Sequence, residues 1–168
     1  MQRRTFLTLG LVSGALLVVA GGTAALLQPG LRAGTLTPIG REVFTAVGNA
    51  VLDKTLPTDS AARQTALNGL LERIDVLVSA LPPHAHTELS QLLSLLGSSA
   101  GRSTLAGLNT PWPQAGVEQL QHALQGMRLS ALALRQQAYA ALHDITASAY
   151  FSDPSSWPLL GYPGPLKI

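Results

Sequence analysis

Apolar residues recur along the middle of the chain at steps of three and four, the period of a helix face. Leu67, Leu70, Leu71, Ile74, Leu77, Val78 and Leu81 form one stripe, opposite Arg63, Arg73 and Asp75. Asp59-Ser60 supplies a cap ahead of it, and Pro82-Pro83 ends it and starts the next helix. There Leu89, Leu92, Leu93 and Leu96 repeat the pattern up to Gly97. Upstream, Thr37-Pro38 reads as an N-cap followed by proline at the first helical position. Ile39, Val43, Val47, Ala50 and Val51 then share a face, and Pro57 closes the element.

Residues 101–108 read as a short helical turn, and Asn109-Thr110-Pro111-Trp112-Pro113 as a rigid loop. From Gln114 to Phe151 the positions Leu120, Leu124, Met127, Ala131, Leu134, Ala138, Leu142, Ile145 and Ala149 keep the helical step. Gly126 and Ser130 mark breaks, so two helices are expected there. No strand pattern appears. The pattern predicts an all-α fold, an irregular bundle of about five helices spanning residues 38–152.

The two ends differ from this body. Residues 6–27 carry no charge and are interrupted by Gly10, Gly14, Gly21 and Gly22. Twenty-two uncharged residues reach the length of about 20 that spans a bilayer. Residues 1–27 therefore read as either a cleaved export signal or a retained membrane anchor. Residues 28–37, with Pro29, Gly30 and Gly34, read as a linker. Residues 153–168 carry Pro154, Pro158, Pro163 and Pro165 and read as an extended C-terminal arm.

Ahead of the apolar stretch stands Arg3-Arg4-Thr5-Phe6-Leu7. Paired arginines, one spacer and Phe-Leu form the pattern of a twin-arginine export signal. Gln2 and Thr8 depart from the usual flanks, but Arg3, Arg4, Phe6 and Leu7 are intact. Export by this route implies a periplasmic destination and a cargo that is already folded.

Charge and composition narrow the function. The formal charge is +2, but setting aside Arg3 and Arg4 leaves nine basic residues against nine acidic ones. A neutral body without a Lys/Arg stripe gives no footprint for a nucleic acid. With no cysteine, disulfides, thiolate zinc sites, iron–sulfur clusters and covalent c-type haem are excluded from this chain. Hydrophobic residues make up 46% and charged ones only 12%, a surface poorly guarded against association.

Candidate chemistry is sparse. His84 and His86 lie two apart near a helix start, a spacing that points side chains away from each other. His143 and Asp144 are adjacent and expected to splay likewise; His122 stands alone. No nucleophile elbow, phosphate loop or dinucleotide fingerprint is present, and the carboxylates form no facing pair in sequence. No catalytic, cofactor-binding or metal-binding residue is expected. A small enzyme using His84, His86 or His143 is the least favoured reading.

The unusual local sequence runs from Tyr150-Phe151 through Trp157 to Gly161-Tyr162-Pro163-Gly164-Pro165. Four of the chain's eight Phe, Trp and Tyr residues lie in these sixteen positions. Aromatics on a proline-stiffened segment lose little entropy on ordering and offer large contact area, the build of an interface anchor. Tyr150, Phe151, Trp157, Gly161, Tyr162 and Pro163 are therefore the candidate partner-binding residues. The alternative is that Trp157 and Tyr162 fold back onto the domain's own core.

The twin-arginine leader, the Leu/Ala helical body, Tyr150-Phe151-Ser152, Trp157 and the Gly161–Pro165 motif together resemble the gluconate 2-dehydrogenase subunit 3 family. These are the small subunits of membrane-bound, flavin-dependent dehydrogenases of sugars and other alcohols. The resemblance implies a non-catalytic subunit of such a complex, associated with the inner membrane or periplasm. FAD then belongs to a large flavoprotein subunit and haem c to a multihaem cytochrome subunit. The small subunit escorts the folded flavoprotein through the twin-arginine translocase and stabilises it. A free-standing periplasmic helical protein, binding an apolar ligand between its helices, is the alternative.

Overall fold

Leu31 and Leu36 are buried at 6% and 5% exposure, in a stretch whose sequence reads as a linker. The computed structural model describes residues 28–164; the leader residues Arg3, Arg4, Phe6 and Leu7 lie outside them. The described chain is mostly helical, as the periodicity predicts. The exception is a small antiparallel hairpin, β1 (Leu31–Arg32) and β2 (Thr35–Leu36), with Leu31 opposite Leu36. Two-residue strands are too short to show a period, so this correction to the linker reading had no pattern to announce it. Ala33 and Gly34 turn the hairpin with φ of 49° and 84°, the mirror-image geometry that tight hairpins favour.

Three polar anchors fix the hairpin. The Leu36 N–H donates to Asp75 Oδ1 at 2.7 Å, and Asp75 also pairs with Arg41. The Leu31 N–H donates to Ser90 Oγ, and the Gly30 N–H to the Ser90 carbonyl. The Thr37 hydroxyl donates to the carbonyls of Pro29 and Gly30. Thr37 thus occupies the N-cap position of α1 (Pro38–Val51), while its side chain turns back to the hairpin instead of capping.

The central element is α1, which packs against α2 (Ser60–Ser79), α3 (Pro83–Gly97), α5 (Val117–Arg128) and α6 (Ala133–Phe151). Its buried face is wider than a single stripe. Val43, Phe44 and Val47 are fully buried, and Gly40, Ala46, Gly48 and Ala50 let neighbouring helices approach. Gly40 also admits the segment leading into the hairpin: a Cβ there would lie 2.6 Å from the Gly30 carbonyl oxygen.

Local signals in the sequence place the other helices. Asp59 caps α2 by accepting from the Ala62 N–H at 2.8 Å. Leu67, Leu70, Leu71, Ile74 and Val78 of the predicted α2 stripe are buried; Leu77 and Leu81 are only half-buried. In α3 the four predicted leucines are all buried. After it, Ser98 caps the single turn α4 (Ser99–Gly101), which runs into a π-turn, Arg102–Ala106, closed by left-handed Gly107.

Trp112, at 2% exposure in the 3₁₀ turn Trp112–Gln114, donates its indole N–H to the Leu96 carbonyl at 2.8 Å. That bond satisfies one of the carbonyls left open at the end of α3.

Gly126 lies inside α5 and does not break it, a second correction. The break falls at residues 129–132, where Ser130 Oγ accepts from the Leu132 N–H. A lone glycine costs a helix only about 1 kcal/mol, which α5 offsets by burying Leu120, Ala123, Leu124 and Met127.

One core position departs from good packing. Thr146 on α6 is fully buried, and its hydroxyl has no partner. Desolvating an unpaired hydroxyl is unfavourable. Thr146→Val is therefore expected to stabilise the fold by about 1 kcal/mol, read as a raised urea midpoint. A lowered midpoint would show that the hydroxyl has a partner after all.

Candidate partner-binding surface

The six candidate residues at the C-terminus divide between core and surface. Tyr150 belongs to the core: it is 7% exposed and its hydroxyl donates to the Thr55 carbonyl at 3.3 Å. This corrects its place among the contact residues. As the next-to-last residue of α6, it faces inward on the same side as Thr146 and Ala149. Phe151 is half-buried and meets Tyr150 edge-on, with ring centroids 5.2 Å apart.

Beyond Phe151 the chain turns into a second, tighter helix. Pro154–Leu160, part of the stretch that reads as an extended arm, forms a 3₁₀ helix with Asp153 as its N-cap. Pro154 sits at the first helical position, where a missing N–H costs nothing. A short 3₁₀ run with its tighter turn also admits Pro158, which a longer α-helix would not. Gly161, left-handed at φ 66°, closes the segment and donates its N–H to the Pro158 carbonyl.

The arm folds onto itself more than onto the body. The Trp157 indole N–H donates to the Phe151 carbonyl at 3.0 Å. Tyr162 packs edge-on against Trp157, centroids 5.3 Å apart, and donates its N–H to the Trp157 carbonyl. Gly164 lies against the same indole, where a Cβ would stand 3.4 Å from Cζ3. Trp157 and Tyr162 take no part in the main core. Tyr162 is 47% exposed and Leu160 56%, while Pro163 is exposed beside them. The arm is therefore a braced aromatic knob with an apolar outer side.

Asp153 fixes the base of this knob. Its carboxylate accepts from the Ser155 N–H at 2.9 Å and pairs with Arg73 of α2 at 3.0 Å. The bond from the Ser155 N–H, and after it the Ser155 hydroxyl, hold this carboxyl below the ordinary aspartate value; burial opposes them, and the Arg73 charge adds to the lowering. A lowered folded-state value means that ionised Asp153 stabilises the arm above the unfolded value, and that this contribution is lost as pH falls through the folded value. Arm docking is expected to be constant above about pH 5 and to weaken below about pH 4. Trp157 fluorescence reads it, with buried Trp112 as a constant background.

The histidines do not assemble. His84 is exposed at the start of α3, and His86 is half-buried with Nε2 facing the Gly34 turn. His143 stacks on Tyr139 one turn earlier, at 5.4 Å, and its Nδ1 meets Asp144 Oδ1 at 3.0 Å. Adjacent helix positions were expected to splay, yet the short aspartate side chain folds back within reach. His122 borders an open hollow of about 420 Å³ with Asn109, Thr110, Glu118 and Gln119, a polar surface with one carboxylate and one imidazole a turn apart. Among the described residues no group of three metal-ligating side chains forms, and no helix is long and apolar enough to cross a membrane.

Two features escaped the sequence reading. Arg73 reads as an ordinary solvent-facing charge on α2, and its contact with Asp153 spans 80 positions. Leu129 and Leu132, 69% and 64% exposed, fall outside the predicted stripe and stand outward between α5 and α6. No protein-family model, curated protein or solved structure matches this chain.

Proposed function

We propose that the chain is the non-catalytic small subunit of an exported flavin-dependent dehydrogenase. It binds a folded flavoprotein in the cytoplasm, carries it through the twin-arginine translocase, and stabilises it at the periplasmic face of the inner membrane. The observation that carries this reading is the pairing of Arg3-Arg4-x-Phe6-Leu7 at one end with an outward-facing aromatic knob at the other. An export address and a docking element on one neutral body suit an escort. FAD belongs to the flavoprotein and haem c to a multihaem cytochrome partner. The residues of this chain serve recognition: Phe151, Trp157 and Tyr162 supply contact area, and Gly161 and Pro163 shape the knob around them.

The test begins with a tagged full-length chain. A flavoprotein, identified by its flavin absorbance, is expected to co-purify with it. Replacing Arg3 and Arg4 together by lysine is then expected to leave that flavoprotein active but cytoplasmic in fractionated cells. Recovery of the flavoprotein in the periplasm with the lysine pair would refute the escort role. Purification of the chain alone, stable and monomeric, would refute the subunit role.

A further inference from the structure

The arm is tied to the body by very little. Among the described residues, Arg73 is the one residue outside the last turn of α6 whose side chain bonds the arm. Its guanidinium makes two contacts at once. Nε donates to the Ala149 carbonyl at 2.8 Å, and Nη1 to Asp153 Oδ2 at 3.0 Å. One cation thus closes the end of α6 and holds the first residue of the arm against α2.

Residues 154–164 are braced among themselves and on Asp153. Ser156 donates both its N–H and its hydroxyl to the Asp153 carbonyl, Gly161 bonds Pro158, and Tyr162 bonds and packs on Trp157. The Trp157 indole bond to the Phe151 carbonyl crosses to the body beside the Arg73–Asp153 tie, and a segment braced within itself moves as a unit when both break. The tie itself is weak: Arg73 and Asp153 side chains are 29% and 32% exposed, and ion pairs that water reaches contribute little.

We infer that Arg73 is a latch, and that the arm opens as one body about residues 152–153 while the helical body stays folded. Trp157 and Tyr162 then swing together, still packed on each other. This reading does not depend on which molecule the arm meets.

Hydrogen exchange of the full-length chain tests it. The Trp157 indole N–H, whose bond to the Phe151 carbonyl crosses the hinge, is expected to exchange faster than the amides of α2 and α6, while the Gly161 and Tyr162 amides keep their bonds within the arm. Arg73→Met is expected to raise that indole rate severalfold and to leave the rates in α2 and α6 unchanged. Asp153→Asn keeps an oxygen for the Ser155 N–H but removes the charge, and should give the same increase. The double variant should add nothing to either single one, because both break the same tie. An indole rate that ignores both substitutions, or Gly161 and Tyr162 amides that speed up along with it, would overturn the latch. An equal rise throughout α2 and α6 would also overturn it, because Arg73 would then be supporting the whole body.

Discussion

A chain ending at Asp153 is expected to keep its helical body and to bind the flavoprotein proposed as its partner at least about a hundredfold more weakly. The first half follows from burial. The core runs from Leu31 to Tyr150 and draws nothing from Trp157 or Tyr162. Asp153 itself remains, so Arg73 keeps its carboxylate and the Ala149 carbonyl. The second half follows from what is removed. Trp157, Leu160 and Tyr162 offer the apolar surface of the knob, and aromatic residues in such positions dominate interface energies, with more than about 2 kcal/mol each at the strongest sites. Pull-down of the flavoprotein checks the loss of binding, and the urea midpoint checks the body. A truncated chain that unfolds would place the arm's role inside the molecule. A truncated chain that still binds would move the contact surface elsewhere, with exposed Leu129 and Leu132 the next surface to test.

Gly30→Ala is expected to destabilise the fold by about 2 kcal/mol. A Cβ at residue 30 would lie 2.2 Å from Leu93 Cβ and 2.8 Å from the Ser90 carbonyl oxygen. Neither atom is the free end of a flexible side chain; both are fixed by α3. The hairpin would have to lift, breaking the bonds from Gly30 and Leu31 to Ser90. The Gly30 carbonyl would also leave the Thr37 hydroxyl. Urea titration reads the effect, and an unchanged midpoint would mean that the hairpin contributes nothing to the body.

Helices α2 and α3 were legible because leucines at steps of three and four leave few other readings. The depth of α1 was not. Gly40 and Gly48 weigh little in any hydrophobic pattern, yet Gly40 admits the Gly30 carbonyl and Gly48 the Leu67 and Leu70 side chains. The hairpin was hidden for a different reason: Ala33 stands where glycine or asparagine usually marks a left-handed turn, and two residues have no period. At the C-terminus, composition pointed to an aromatic element, and Trp157 and Tyr162 do form one. Sequence spacing could not tell that Tyr150 turns inward, because Tyr150 and Phe151 are neighbours on the boundary between the buried and open sides of α6. Nor could it pair Arg73 with Asp153, which meet only once α2 and α6 are packed.

The hairpin also decides how the molecule answers a pull. Tension applied through the chain ahead of residue 28 enters the fold at Pro29 and meets the bonds to Ser90, Asp75 and Thr37 before it reaches α1. Those bonds tie the entry point to α2 and α3 at once, so load is shared across three helices instead of peeling one away. The N-terminal end of the body is therefore a mechanical coupling and not a loose end.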